Sequence, residues 1–175
     1  MVSKVLLIDP PKCDGCKECE KVCILRHSGY RRIARKRIEV MGTESGGNFF
    51  VPFACQQCAD APCMAVCPKQ AITRDTNLAR VVVDASLCVG CSMCVSACPS
   101  GLMAFDYEVG LAYKCDLCDG EPQCVRVCEK KAIAYVEPHR FQQQRAQKEA
   151  AKLCGVLRPN VYFPGTIVGN GKRNR

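Results

Sequence analysis

Seventeen of the 175 residues are cysteine, and sixteen of them fall into four short runs, the one feature here with the makings of chemistry. Cys13, Cys16, Cys19 and Cys23 follow the spacing C-x2-C-x2-C-x3-C, and Cys88, Cys91, Cys94 and Cys98 repeat it with Pro99 behind. Cys55, Cys58, Cys63 and Cys67, followed by Pro68, widen the second gap to four residues, and Cys115, Cys118, Cys124 and Cys128 widen it to five. The opening gap of two and the closing gap of three never vary. Three thiolates in one short loop can wrap three corners of an iron-sulfur cubane, while the fourth, entering a helical turn, points away toward another cluster. Structural zinc uses two separated pairs around one tetrahedral ion, which a third cysteine so close behind the second does not suit. Independent disulfides would not generate four near-identical runs, and an odd cysteine count leaves one thiol over.

Because each run completes the cluster of another, the runs match in twos. The two that end in Cys-Pro are adjacent in sequence and form one pair, which predicts a cluster on Cys55, Cys58, Cys63 and Cys98 and a second on Cys88, Cys91, Cys94 and Cys67. The outer runs then serve each other: Cys13, Cys16 and Cys19 with Cys128, and Cys115, Cys118 and Cys124 with Cys23. In all, the pattern calls for four 4Fe-4S clusters. Cys23 is followed by Ile24 and Cys128 by Glu129 where the inner runs have proline, a change expected to reshape the local turn and leave ligation intact.

The elements that must position these thiols are short. β-Branched stretches at residues 4–9, 79–84 and 133–136 read as strands, and residues 59–66 and 92–97 suit short helices. With 6% aromatic residues and no tryptophan, the organic core is thin, so metal has to supply part of the stability. The expected fold class is α+β. Two nested bacterial-ferredoxin-like (βαβ)2 units surround the clusters: an outer one from 1–54 with 113–138, and an inner one from 55–112 inserted within it. After Pro138 the composition changes, and residues 139–175 read as a polar helix over 141–153 followed by an irregular, partly apolar arm that either lies on a partner or is a frayed terminus.

Four such runs across residues 13–128, with the second gap widened in the second and fourth, resemble the four-cluster ferredoxin-like electron-transfer subunits of molybdenum or tungsten oxidoreductases, hydrogenases and carbon monoxide dehydrogenase. The resemblance implies a non-catalytic subunit that relays single electrons between a catalytic oxidoreductase subunit and another redox partner of flavin or ferredoxin type. A tungsten aldehyde oxidoreductase partner comes first among the possibilities it opens. A hydrogenase, a formate dehydrogenase, carbon monoxide dehydrogenase and a free-standing polyferredoxin shuttle are the alternatives. Self-association into a longer cluster chain follows if clusters lie at both ends.

The formal charge of +8 counts cysteine as neutral. An oxidised 4Fe-4S cluster with its thiolates carries about −2, so four of them cancel most of that charge. The apparent basicity therefore argues no nucleic-acid partner, and Arg31, Arg32, Arg35, Lys36 and Arg37 read as a solvated face or a patch for docking a catalytic subunit. The amino-terminal segment has no export signature and no window is apolar enough to span a bilayer, so the expected site of action is the cytoplasm without direct membrane insertion. Cys154 stands outside every run and reads as a small packed residue. His27 and His139 have no carboxylate or ligand at a useful spacing and read as loop residues, and Gly46-Gly47 reads as a turn.

Overall fold

The computed structural model describes residues 4–28, 36–42, 49–139, 146 and 150. Met1–Pro138 and His139–Arg175 form separate compact units, and all sixteen run cysteines lie in the first. Of the expected helix at 141–153 only residues 146 and 150 are described, both helical; the arm behind it, Cys154, the turn at Gly46-Gly47 and Arg31, Arg32 and Arg35 lie outside the described residues.

Short helices and short antiparallel strands build the first unit, a ferredoxin-like arrangement. Strands β1 (Val5–Ile8) and β8 (Ile133–Val136) pair antiparallel, with Val5 opposite Val136 and Ile8 opposite Ile133, so the two ends of the unit are closed on each other. The remaining pairs are hairpins: β2 (Ile38–Gly42) with β3 (Phe50–Ala54), β4 (Ile72–Asp75) with β5 (Arg80–Val83), and β6 (Ala104–Asp106) with β7 (Leu111–Tyr113). β1, β5 and β8 stand where the β-branched stretches predicted strands, and the others carried too weak an alternation to be read. In β2, Ile38 and Val40 are buried while Glu39 is exposed, the period-two pattern of a strand with one face on a core.

Four helices begin within the cysteine runs, each carrying the third cysteine: α1 (Glu18–Ser28), α2 (Pro62–Ala65), α3 (Met93–Ser96) and α4 (Gln123–Val127). The inner helices are one turn long because Pro68 and Pro99 stand just beyond the closing cysteines, and the residue before a proline is pushed out of the α region. No proline follows Cys23, and α1 runs on for five residues past it. Its ends suit the helix dipole, with Glu18 and Glu20 in the first turn and Arg26 and His27 in the last.

Proline is not required for the inner turn, however. After Cys128 the chain makes the turn seen after Cys67 without one. Lys131 N donates to Cys128 O at 3.0 Å and Ala132 N to Cys128 Sγ at 3.3 Å, matching Gln70 N to Cys67 O at 3.1 Å and Ala71 N to Cys67 Sγ at 3.3 Å. The missing proline therefore reshapes the chain at Cys23 and leaves it unchanged at Cys128.

Two small cores hold the unit. One gathers Ile38, Val40, Ala54 and Ile133 around Cys19, Cys23 and Cys124, and the other gathers Ala61, Ile72, Val81, Met103 and Ala112 around Cys94. Each buried Ile, Val or Met side chain contributes about 1.5–3 kcal/mol and each alanine about 0.8 kcal/mol, but the residues are few and cysteines occupy core positions.

Candidate iron-sulfur centres

In every run the residue immediately before the second cysteine has a left-handed backbone: Gly15 at φ 78°, Gln57 at 50°, Gly90 at 72° and Leu117 at 57°. Lys17, Ser92 and Asp119, immediately after the second cysteine, are also left-handed, at φ 59°, 59° and 58°. In the first and third runs the hand alternates across the second cysteine, which turns successive N–H groups toward one point, a concavity that binds anions such as a sulfide-bearing cluster; in the fourth, Cys118 at φ 47° is left-handed as well. Non-glycine residues hold such a conformation at a cost of about 1–3 kcal/mol, so their surroundings must over-determine it. They do: Gln57 accepts from Val81 N at 2.8 Å and donates to Cys115 O at 2.8 Å, and Leu117 is 1% exposed.

The thiols gather in fours. One hollow is lined by Cys13, Cys16, Cys19 and Cys128 (site A), a second by Cys55, Cys58, Cys63 and Cys98 (site C), and a third by Cys67, Cys88, Cys91 and Cys94 (site D). Cys115, Cys118 and Cys23 are close enough to Cys124 to influence its ionisation (site B). The sites are also neighbours in series. Cys124 of site B feels Cys19 of site A, and Cys115 of site B feels Cys55 of site C. Sites C and D share the inner core, where Cys58, Cys63 and Cys98 pack with Cys67, Cys88 and Cys94. Two of the sixteen thiols are exposed, Cys16 in site A and Cys91 in site D.

All sixteen are free thiols and none is a disulfide. Burial pushes Cys19 and Cys115 up to about 12 and raises Cys23, Cys63, Cys94 and Cys124 as well. A thiol in that state is inert alone and needs a metal to draw off its proton. Each closing cysteine carries a donor on sulfur: Arg37 N on Cys23 at 3.1 Å, Ala71 N on Cys67, Ser100 Oγ beside Cys98 at 3.5 Å, and Ala132 N on Cys128. At Cys98 burial works upward, but the Ser100 hydroxyl and nearby backbone N–H groups outweigh it and the thiol lies below its ordinary value. Anion-cradling loops, clustered thiols and donors aimed at sulfur all fit 4Fe-4S clusters.

Residues 47–138 match the model of the 4Fe-4S dicluster domain. The chain belongs to that family. Its cofactors are accordingly 4Fe-4S clusters. The polyferredoxin-like subunit of an aliphatic sulfonate oxidoreductase from Pyrococcus furiosus is 40% identical over 125 residues, 71% of this chain and 71% of that one. The electron transport protein HydN of Escherichia coli is 34% identical, covering 84% of this chain and 95% of its own. The beta subunit of the NADH-dependent phenylglyoxylate dehydrogenase of Aromatoleum evansii is 38% identical over 132 residues, but the chain spans only 30% of that subunit's length.

Two residues depart from their sequence reading. His27 lies on α1, with Nε2 3.6 Å from Asp116 Oδ1 and 3.7 Å from Cys118 Sγ. Burial, and then the Arg37 guanidinium, push its imidazole below the ordinary value. The readable signal was the residue after Cys23: with no proline there the helix continues, and position 27 falls one turn beyond the cysteine on the same face. Arg37 turns inward instead of joining a docking patch, with its guanidinium 2.5 Å from Asp116 Oδ2. Burial raises the Asp116 carboxyl, but Arg37 and Cys118 N outweigh it and hold the group below the usual carboxylate range. Lys36 is likewise engaged, with Glu39 at 2.7 Å and Glu20 at 3.4 Å.

Proposed function

We propose that the chain is the non-catalytic electron-transfer subunit of an oxidoreductase complex and relays electrons through four 4Fe-4S centres on crossed cysteine sets. Cys13, Cys16, Cys19 and Cys128 hold the first; Cys115, Cys118, Cys124 and Cys23 the second; Cys55, Cys58, Cys63 and Cys98 the third; and Cys88, Cys91, Cys94 and Cys67 the fourth. When bound, such clusters accept and donate single electrons at potentials set by burial and by hydrogen bonds to sulfur. The observation that carries this reading is the serial adjacency of the four thiol groups, with Cys16 and Cys91 exposed at opposite ends of the series. Exposure at those two positions offers an entry and an exit, and no thiol of sites B and C between them is exposed.

The nested organisation follows the same logic. An outer ferredoxin-like (βαβ)2 unit from 1–54 with 113–138 encloses an inner one from 55–112, and residues 139–175 form the docking arm. Support comes from the two cores, one drawing on both ends of the unit and the other on its middle, and from the closing β1–β8 pair. The partner is a catalytic oxidoreductase subunit, a role the sulfonate oxidoreductase relative's name carries. The relatives' names range over sulfonate and phenylglyoxylate chemistry, which gives a tungsten aldehyde oxidoreductase no precedence. Among the described residues no helix is long and apolar enough to cross a membrane, and the free thiols suit the reducing cytoplasm.

Iron and sulfide analysis of protein purified without oxygen tests the count: about sixteen irons per chain are expected, and fewer than about twelve would remove the four-centre reading. Cys98→Ala tests the crossing. It should damage the centre on Cys55, Cys58 and Cys63, and damage confined to the one on Cys88, Cys91 and Cys94 would refute it. A catalytic subunit retained through anaerobic purification from native cells separates the complex from a free-standing shuttle.

A further inference from the structure

Cys118 is a loop cysteine, not a closing one, yet a buried imidazole faces its sulfur. His27 Nε2 lies 3.7 Å from Cys118 Sγ, within hydrogen-bond reach of a sulfur atom, and its side chain is only 8% exposed. The other acceptor nearby is already engaged: Asp116 Oδ1 receives Cys118 N at 2.9 Å and Oδ2 receives Arg37 Nη1 at 2.5 Å. With Cys118 as a cluster thiolate, both atoms facing Nε2, a sulfur and a carboxylate oxygen, are acceptors, and the tautomer that satisfies them carries the proton on Nε2. Donation to sulfur is therefore independent of the ring's protonation state.

Resting on the ligand assignment above, the geometry points to His27 as a positioning residue whose Nε2–H donates to the Cys118 thiolate and raises the reduction potential of the centre at site B. A hydrogen bond to a thiolate stabilises the state with more negative charge, which is the reduced one. In the transfer one electron arrives and later leaves, the proton stays on Nε2, and no bond forms or breaks. Site B would thereby be set apart from its neighbours by a side chain on α1, which runs on past Cys23 where Ile24 stands in place of the inner runs' proline.

The test is a potentiometric titration, followed by paramagnetic resonance, of the anaerobically purified holoprotein, His27→Leu and His27→Gln. The signal that Cys118→Ala abolishes or alters identifies site B. His27→Leu should keep the full iron content and lower the midpoint of that signal alone, by about a tenfold loss in the one-electron reduction constant, which is about 59 mV. His27→Gln, which restores an N–H donor at similar reach, should stay near the unmodified value. Equal midpoints for His27→Leu and the unmodified protein overturn the assignment. So does an equal drop in both variants, which would mark lost packing, and so does loss of about four irons from His27→Leu, because a tuning bond is not needed for assembly. If Cys118→Ala leaves every signal unchanged, the ligand assignment fails and the role of His27 falls with it, whereas equal midpoints beside an altered Cys118→Ala signal remove the role of His27 alone.

Discussion

At the scale of single residues, backbone hand matters as much as thiol chemistry. Gly90 illustrates the constraint: its φ is +72°, and an added Cβ would lie 2.5 Å from the Gly110 carbonyl oxygen, a backbone atom that cannot swing aside. Gly90→Ala should destabilise the holoprotein by about 1–3 kcal/mol and lower the occupancy of site D, read by thermal unfolding and iron content. The thiols make a second prediction. Cys19 and Cys115, near 12, are protonated at neutral pH, so loading iron means displacing protons, and raising the pH toward 12 removes that competition. Reconstitution of the iron-free chain should therefore proceed at lower iron and sulfide concentrations at pH 8.5 than at pH 7, and an inverse dependence would contradict the pKa ordering. The cysteines were legible by type and spacing, whereas the left-handed Gln57 and Leu117 were not, since nothing in either side chain favours that conformation.

At the scale of elements, α1 runs on past its closing cysteine while α4, which also lacks a following proline, stops short of its own. Ile24→Pro should stop α1 near Cys23, cost about 3 kcal/mol and release the last turn with its Arg26–Asp119 ion pair. Circular dichroism should show the lost helix, and the magnetic signal of site B should change while those of sites C and D persist. Glu129→Pro is the counterpart. Cys128, at φ −79° and ψ 91°, already has the extended backbone that a following proline requires, so unfolding should move by less than about 1 kcal/mol. The strands at residues 4–9, 79–84 and 133–136 were visible as β-branched runs. β6 and β7, three residues each, are too short for periodicity to mark, and they exist because their hairpin closes over the inner core.

At the scale of the molecule, the junction between the central segment and the fourth run is polar and buried. Lys114, 4% exposed, donates to Val81 O, to Gln57 Oε1 at 3.0 Å and to Cys115 O at 3.0 Å, while Arg80 bonds Asp116 O at 2.7 Å and Asp119 Oδ1 at 2.8 Å. Both sit where sites B and C approach, which holds the two halves of the series at a fixed separation. Lys114→Met removes a buried donor from Val81 O, Gln57 Oε1 and Cys115 O, of which the last two keep Val81 N and Gln57 Nε2, and should destabilise the holoprotein by about 1–3 kcal/mol in denaturant unfolding, with the iron of sites B and C lost before that of sites A and D. Simultaneous loss from all four would show that the junction does not divide the molecule as described.

The sequence by itself determined the cofactor class and the grammar of the sites, because a cluster needs thiolates at fixed local spacing and local spacing is what a sequence records. The crossing of runs proposed above rests on the same local grammar, in which a closing cysteine in a helical turn points away from its own loop. Only the tertiary structure decided which non-cysteine groups meet those sulfurs. His27 lies 91 residues from Cys118, and Arg37 lies 79 residues from Asp116. Contacts at such separation arise from how α1 and the fourth run pack, and no short-range pattern encodes them.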